Sequence, residues 1–153
     1  MRTIAFLTSL FLAASLTTPL AAEDAEGSTF LFGGDAYLAG RTVALSGDPV
    51  DDVFAAGNSV LLRSPVEGSV HAMGRSVILR SEVGENFYGA GMTVEVGGAV
   101  RGDVSLAGYS LSVTDPVSGD LRATGSRVTL AAPVAGNVLL TGETVEIDGE
   151  ILG

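Results

Sequence analysis

The sequence predicts an all-β fold, namely a three-sided parallel β-helix of seven rungs, with 17 residues in each rung. The first observation is a repeat that runs without insertion from Gly34 to Gly153, as in GDVSLAGYSLSVTDPVS from Gly102 and GDLRATGSRVTLAAPVA from Gly119. The second is a glycine at the seventh position of every repeat, and the third is a set of aliphatic columns at positions 3, 10, 12 and 16. A fixed period this short is typical of a solenoid, in which neighbouring rungs bury one another.

Two segments precede the repeat domain at 34–153. Residues 1–22 have the pattern of a signal peptide, with Arg2 before a largely apolar run and Ala21-Ala22 before the expected cleavage at Glu23. The apolar run is shorter than the roughly 20 residues that a membrane-spanning helix needs, although an uncleaved anchor is the alternative interpretation. Residues 23–33 are expected to form an N-terminal linker or cap. The mature chain is therefore predicted to be exported, to a periplasm or to the extracellular space.

Each repeat is expected to contain three short strands, near positions 3–6, 9–12 and 15–17. Positions 10 and 12 are aliphatic and mostly β-branched, and they alternate with polar or variable neighbours, which is typical of a strand with one buried face. The glycine at position seven is predicted to form the corner between the first two strands, with a positive φ that glycine tolerates. That column comprises Gly40, Gly57, Gly74, Gly91, Gly108, Gly125 and Gly142. Asp or Asn at position two suits side-chain-to-backbone hydrogen bonds at another corner.

These repeats resemble those of bactofilins. The resemblance is carried by Gly102-Asp103-Val104, Gly119-Asp120-Leu121 and Gly136-Asn137-Val138, each followed by an aliphatic pair and a third-side aliphatic residue, and it covers residues 34–153. It implies a right-handed β-helix that polymerises end to end, without nucleotide, into scaffolding filaments. Bactofilins are typically cytoplasmic or membrane-associated, whereas the N-terminal segment of this chain predicts export.

Composition and spacing argue against an enzyme. The chain has no cysteine and a single histidine, so a thiol nucleophile and a three-histidine zinc site are excluded. The aliphatic columns do not follow the hexads of the left-handed acyltransferase β-helix, and the calcium-binding nonapeptide is absent. Eighteen acidic residues against eight basic ones give a net charge of −10, which repels nucleic acid. We predict no catalytic residue, no metal, no cofactor, and neither nucleotide nor nucleic acid as a partner.

Position four is expected to point outward, and in four successive repeats it carries a ring: Tyr37, Phe54, His71 and Tyr88. Rings on adjacent rungs would stand roughly 4.8 Å apart. Leu61, Met73 and Ile78 are expected to extend them into an apolar stripe. Two interpretations stay open, because such a stack can simply stabilise neighbouring rungs or can bind an envelope protein or glycan. His71 is interpreted as a member of the stack, not as a ligand or base.

The predicted function is a non-enzymatic, self-assembling scaffold of the cell envelope or extracellular space, with a second copy of the chain as partner. The last rung is expected to expose unpaired strand edges, and solenoids ordinarily need polar caps for solubility. At the other end, Phe32 falls in register with position 16 and could begin a partial rung or a cap. The predicted assembly interface comprises Phe30, Phe32, Ile147, Ile151 and Leu152. The alternative is a monomeric exported binding module or adhesin that uses the aromatic stripe.

Overall fold

The computed structural model describes residues 27–153, and over that range it is a parallel β-solenoid of about seven rungs without a helix. The predicted all-β solenoid is therefore confirmed, while the predicted signal peptide lies outside the described residues. Nine strands form one sheet: β1 Ser28–Phe32, β2 Asp35–Leu45, β3 Val53–Leu62, β4 Val70–Leu79, β5 Phe87–Val96, β6 Val104–Val113, β7 Leu121–Leu130, β8 Val138–Thr141 and β9 Thr144–Ile147.

From β2 onward, each rung pairs in parallel with the next at an offset of 17 residues, as in Val53↔Val70 and Val70↔Phe87. Pairing covers positions 3–7, skips position 8, resumes at positions 9–12 and ends in an isolated bridge such as Val66↔Val83. The prediction of three separate strands is thus wrong in detail. The first two strands are one continuous strand in β2 to β7, because the glycine at position seven is itself paired, and the third is reduced to the bridge at position 16.

The aliphatic columns form the core. At positions 3, 10, 12 and 16 the side chains are almost fully buried from the second to the sixth rung, and position five adds a column of smaller residues such as Ala55 and Ala72. In the fifth strand the pattern changes, since Phe87 fills position three and Gly89 occupies position five. A large side chain in one column is thus matched by the smallest residue in the adjacent column.

The glycine column has a different physical basis from the one predicted. Among the described residues, positive φ is confined to Gly33, Gly34, Gly40 and Gly47, so only the first member of the column has it. From the second rung onward, a Cβ on each of these glycines would lie less than 3.0 Å from the carbonyl oxygen of the preceding glycine in the column. Glycine is required there because successive backbones approach closely at the corner, and not because the corner needs a left-handed conformation.

The N-terminal strand departs from the solenoid. β1 pairs with β2 in the antiparallel sense, with Phe32 opposite Asp35 and Thr29 opposite Leu38. The two residues between the strands, Gly33 and Gly34, have φ of 66° and 101°, as a two-residue hairpin turn requires. Of the two possibilities for Phe32, the parallel partial rung at position 16 is excluded, because the hairpin reverses the direction of the chain before the first rung.

Candidate functional surfaces

One outward face carries a continuous stack of rings, which we call the aromatic column. The ring centroids are 5.2 Å apart between Tyr37 and Phe54, 5.1 Å between Phe54 and His71, and 4.7 Å between His71 and Tyr88. The planes of successive rings deviate from parallel by at most 10°. The predicted stacking of these four side chains at close to the spacing of the rungs is confirmed, and His71 is a member of the stack.

The hairpin strand β1 extends the aromatic column at its N-terminal end. The Phe30 ring lies 6.4 Å from Tyr37 at an angle of 46°, and it stacks on Phe32 at 6.3 Å and 11°. Both phenylalanines are largely exposed. Antiparallel pairing places Phe30 directly opposite Tyr37. Phe30 and Phe32, which were predicted for the assembly interface, therefore also continue the predicted binding stripe. Their role in assembly stays a prediction.

The aromatic column presents ring edges to solvent, because each inner ring is covered on both faces by its neighbours. Tyr37, Phe54 and Tyr88 are 39%, 39% and 41% exposed. Beside them, position six adds a low row of exposed side chains: Ala39, Ala56, Met73, Ala90 and Ala107. Leu61 and Ile78, which were expected to widen the stripe, lie beyond the glycine corner in the second half of their strands. A flat ligand can therefore stack on a ring face only where the column ends.

At the N-terminal end of the four-ring stack, the Tyr37 hydroxyl donates a hydrogen bond of 3.4 Å to the Asp35 carboxylate. Desolvation raises the pKa of Tyr37 above its ordinary value of 10.0, and the negative charge of Asp35 raises it further. Both effects disfavour the phenolate, so the column stays uncharged at this end at neutral pH.

At the C-terminal end of the column, the series of rings breaks. Position four carries Ser105 after Tyr88, and then Arg122. The side chain of Arg122 forms ion pairs with Asp120 at 2.9 Å and with Asp103 at 3.4 Å. A depression of about 290 Å³ opens at this break and is lined by Tyr88, Ser105 and Arg122 among others. Sequence reasoning did not single out Ser105 and Arg122 as a site, although they continue the column in which the four rings were found.

Position two forms a ladder of side-chain acceptors along the solenoid. The Asp52 carboxylate accepts a hydrogen bond from the Ser69 backbone N–H at 2.7 Å, and Asp103 accepts one from the Asp120 N–H at 2.8 Å. The same contact recurs in every rung from Asp35 to Asn137, with the Ser69 hydroxyl as acceptor in the third rung. The predicted use of this column for side-chain-to-backbone hydrogen bonds is confirmed.

The last carboxylate of this ladder, that of Asp120, has a lowered pKa. Asp120 accepts hydrogen bonds from the backbone N–H of Asn137 at 2.9 Å and from its side-chain amide at 3.2 Å, and it pairs with Arg122. These hydrogen bonds are the main reason that the pKa of Asp120 lies below its ordinary value of 3.8, with the positive charge of Arg122 adding to the effect. Protonation of Asp120 at low pH would therefore weaken its contacts with Asn137 and Arg122.

The last described rung exposes residues whose columns are almost fully buried from the second to the sixth rung. Val145, Ile147 and Ile151 are 40%, 47% and 40% exposed, whereas their counterparts one rung earlier are at most 1% exposed. The strands β8 and β9 pair with β7 on one side only within the described chain. Leu152 is also exposed, but the residues above it in the same column, such as Arg101 and Ser118, are exposed too. The structure thus places two predicted interface residues, Ile147 and Ile151, at the C-terminal end of the described core.

Two kinds of feature, metal sites and membrane-spanning helices, are absent from residues 27–153. Over that range no group of three or more His, Asp or Glu side chains could hold a metal ion. No helix in the same range is long and apolar enough to cross a membrane.

Comparisons with protein-family models, with curated proteins and with solved structures each return no match. The bactofilin resemblance therefore stays a hypothesis that rests on the repeat.

Proposed function

We propose that this protein is a non-enzymatic scaffold that assembles end to end through the open C-terminal rung of its solenoid. The observation that carries the proposal is the exposure of Val145, Ile147 and Ile151, which belong to columns that are almost fully buried from the second to the sixth rung. A docked strand would restore the environment that these columns have in each earlier rung. Burying the exposed part of the three side chains would contribute roughly 2–4 kcal/mol, in addition to backbone hydrogen bonds.

The unpaired edge supports the same proposal. Within the described residues, β8 and β9 present their free N–H and C=O groups without a Lys or Pro in either strand, and such residues are common means of blocking edge pairing. At the opposite end the edge strand is β1, which runs antiparallel to the solenoid strands. A head-to-tail contact would therefore pair β8 with β1 of the next molecule in the antiparallel sense. Such a heterologous contact repeats without closing when its rotation does not close a ring, and a filament results.

The cellular setting belongs to the proposal as well. The signal-peptide pattern of residues 1–22 supports export to a periplasm or to the extracellular space, where the scaffold would act. The three-sided, right-handed form and the bactofilin-like mode of polymerisation are proposed on the resemblance of the repeat, and the parallel solenoid is consistent with them. The chain itself is the proposed partner, and neither nucleotide nor cofactor is part of the proposed assembly.

Electron microscopy and light scattering of the mature chain test the proposal. We expect filaments or large oligomers, and we expect Ile151→Lys to shorten them or to dissociate them, because it places a charge at the end of a buried column. The matched control is Leu152→Lys, which adds the same charge one residue away in a column that is exposed in the earlier rungs. A wild-type protein that stays monomeric at high concentration would overturn the proposal, as would equal effects of the two substitutions.

A second candidate is a monomeric binding module or adhesin that uses the aromatic column to hold an envelope protein or glycan. It is favoured by one observation, the contiguous apolar face formed by the rings and the small side chains at position six. Replacing Tyr37, Phe54 and Tyr88 with serine would abolish retention by such a partner and preserve the β-sheet signature in circular dichroism. A loss of the fold in this variant would instead assign the column a structural role.

A further inference from the structure

We propose that the break in the aromatic column is a binding slot for one aromatic ring, supplied by a tyrosine or tryptophan side chain of a partner protein. The column stacks its rings at intervals of 4.7–5.2 Å and stops at Tyr88. The next residue at position four, Ser105, has no ring, so the face of Tyr88 that points away from His71 has no ring stacked on it among residues 27–153. This inference concerns the side of the solenoid and does not rest on end-to-end assembly.

The dimensions of the break fit one ring. Adjacent rungs are about 4.8 Å apart, so the position-four sites of Tyr88 and Arg122 are separated by about twice that distance. A single flat ring placed above Ser105 would thus lie at stacking distance from Tyr88 on one side and near the Arg122 side chain on the other. The depression of about 290 Å³ at this place is larger than such a ring needs and open to solvent.

The charges of the site favour an aromatic occupant. The face of an aromatic ring carries partial negative charge, so the guanidinium of Arg122 is a complementary wall. That guanidinium is held by two carboxylates, Asp120 and Asp103. These carboxylates disfavour an anionic ligand at the same place, as does the net charge of the whole chain, −10.

The residues at the bottom of the slot favour an aromatic ring over a sugar ring, although a sugar ring can also stack on tyrosine. Ala90 and Ala107 flank the slot at position six, and the buried Leu106 lies beneath them. A sugar needs several hydrogen bonds to its hydroxyl groups, and two of the N–H groups of Arg122 already donate to Asp103 and Asp120. An aromatic ring needs few hydrogen bonds, and the single hydroxyl of Ser105 is sufficient for an indole N–H or a phenol.

Saturation-transfer NMR tests the slot with N-acetyltryptophanamide as the probe. The signals are observed on the probe, so the measurement works for a monomer and for a filament. One stacked ring with few other contacts is expected to bind with a dissociation constant on the order of millimolar. The variant Ser105→Phe, which fills the slot with its own ring, should weaken binding at least tenfold.

The matched control is Ser112→Phe, because Ser112 points outward from the same strand but lies beyond the glycine corner. This control should bind the probe as the wild type does, and circular dichroism should show the same sheet content in all three proteins. Replacing Arg122 with Gln should weaken binding without abolishing it, since the Tyr88 face remains. The inference is overturned if the wild type does not saturate, if Ser105→Phe binds the probe unchanged, or if N-acetylglucosamine oligomers bind at the slot and the indole does not.

Discussion

Phe87 and Gly89 lie in adjacent core columns of β5, and their packing against each other leads to a specific prediction. In β3 and β4 the same two columns hold a valine and an alanine. In β5 they hold Phe87, which is the largest fully buried side chain, and Gly89, which has no side chain. A Cβ added at Gly89 would lie 2.7 Å from Cε1 of Phe87 and 3.0 Å from Cγ1 of Val94. Gly89 is not among the glycines with positive φ, so the cost of a methyl group there is steric.

The expected magnitudes follow from this geometry. Gly89→Ala should lower the free energy of unfolding by about 1–3 kcal/mol, because it overpacks a filled core. Phe87→Val alone should cost roughly 2–3 kcal/mol, since it leaves a cavity. When Phe87 is already valine, Gly89→Ala should instead stabilise by about 1 kcal/mol, because the new methyl group fills the cavity and the unfolded chain loses entropy. The sign of the same substitution therefore reverses between the two backgrounds.

Urea unfolding of the four proteins, followed by circular dichroism, measures this double-mutant cycle. The expected coupling free energy is on the order of 2–4 kcal/mol, well above the few tenths expected for independent sites. If the Ile151→Lys variant is monomeric, measuring the cycle in that variant prevents assembly from contributing to the free energy of unfolding. If Gly89→Ala changes the free energy of unfolding by the same amount in both backgrounds, the two residues do not compensate each other and the packing argument fails.

The period of the repeat was sufficient to predict the rungs, the core columns and the stack of rings, because each property depends only on which residues lie 17 apart. The same is true of the hydrogen-bond ladder at position two, in which each Asp or Asn from Asp35 to Asp120 accepts a hydrogen bond from the next rung. What lies within one rung was predicted less well. The change in alternation at each glycine indicated two strands, yet backbone pairing needs no side chain and continues through that residue.

The direction of β1 was missed for a related reason. Residues 23–33 were expected to form a linker or cap without a stated strand direction, and Gly34 was counted as the first residue of a repeat. The Gly33-Gly34 dipeptide between two apolar segments is itself a hairpin signal, because two-residue hairpins favour positive φ. The proposed slot at Ser105 was also missed, since the rings that are present were considered as a site and not the position next to Tyr88 that lacks a ring.

Two further substitutions, Gly108→Ala and Asp120→Asn, test the forces between rungs, and Gly33→Ala is the control for the first. Gly108→Ala should lower the free energy of unfolding by about 1–3 kcal/mol, because its methyl group would clash with the Gly91 carbonyl oxygen. Gly33→Ala should lower it by only about 1 kcal/mol, because Gly33 has open space around it and a φ of 66°. Equal losses in urea unfolding would contradict the steric explanation of the glycine column. Asp120→Asn tests the ladder, because an amide oxygen can still accept the Asn137 N–H but cannot titrate. The pKa of Asp120 is lowered in the folded state, so its contribution to stability is present above the pKa of the unfolded chain and is lost as the pH falls toward the folded value. The variant should therefore show a weaker loss of thermal stability between neutral and acidic pH than the wild type, and an unchanged pH profile would mean that other carboxylates control the acid sensitivity.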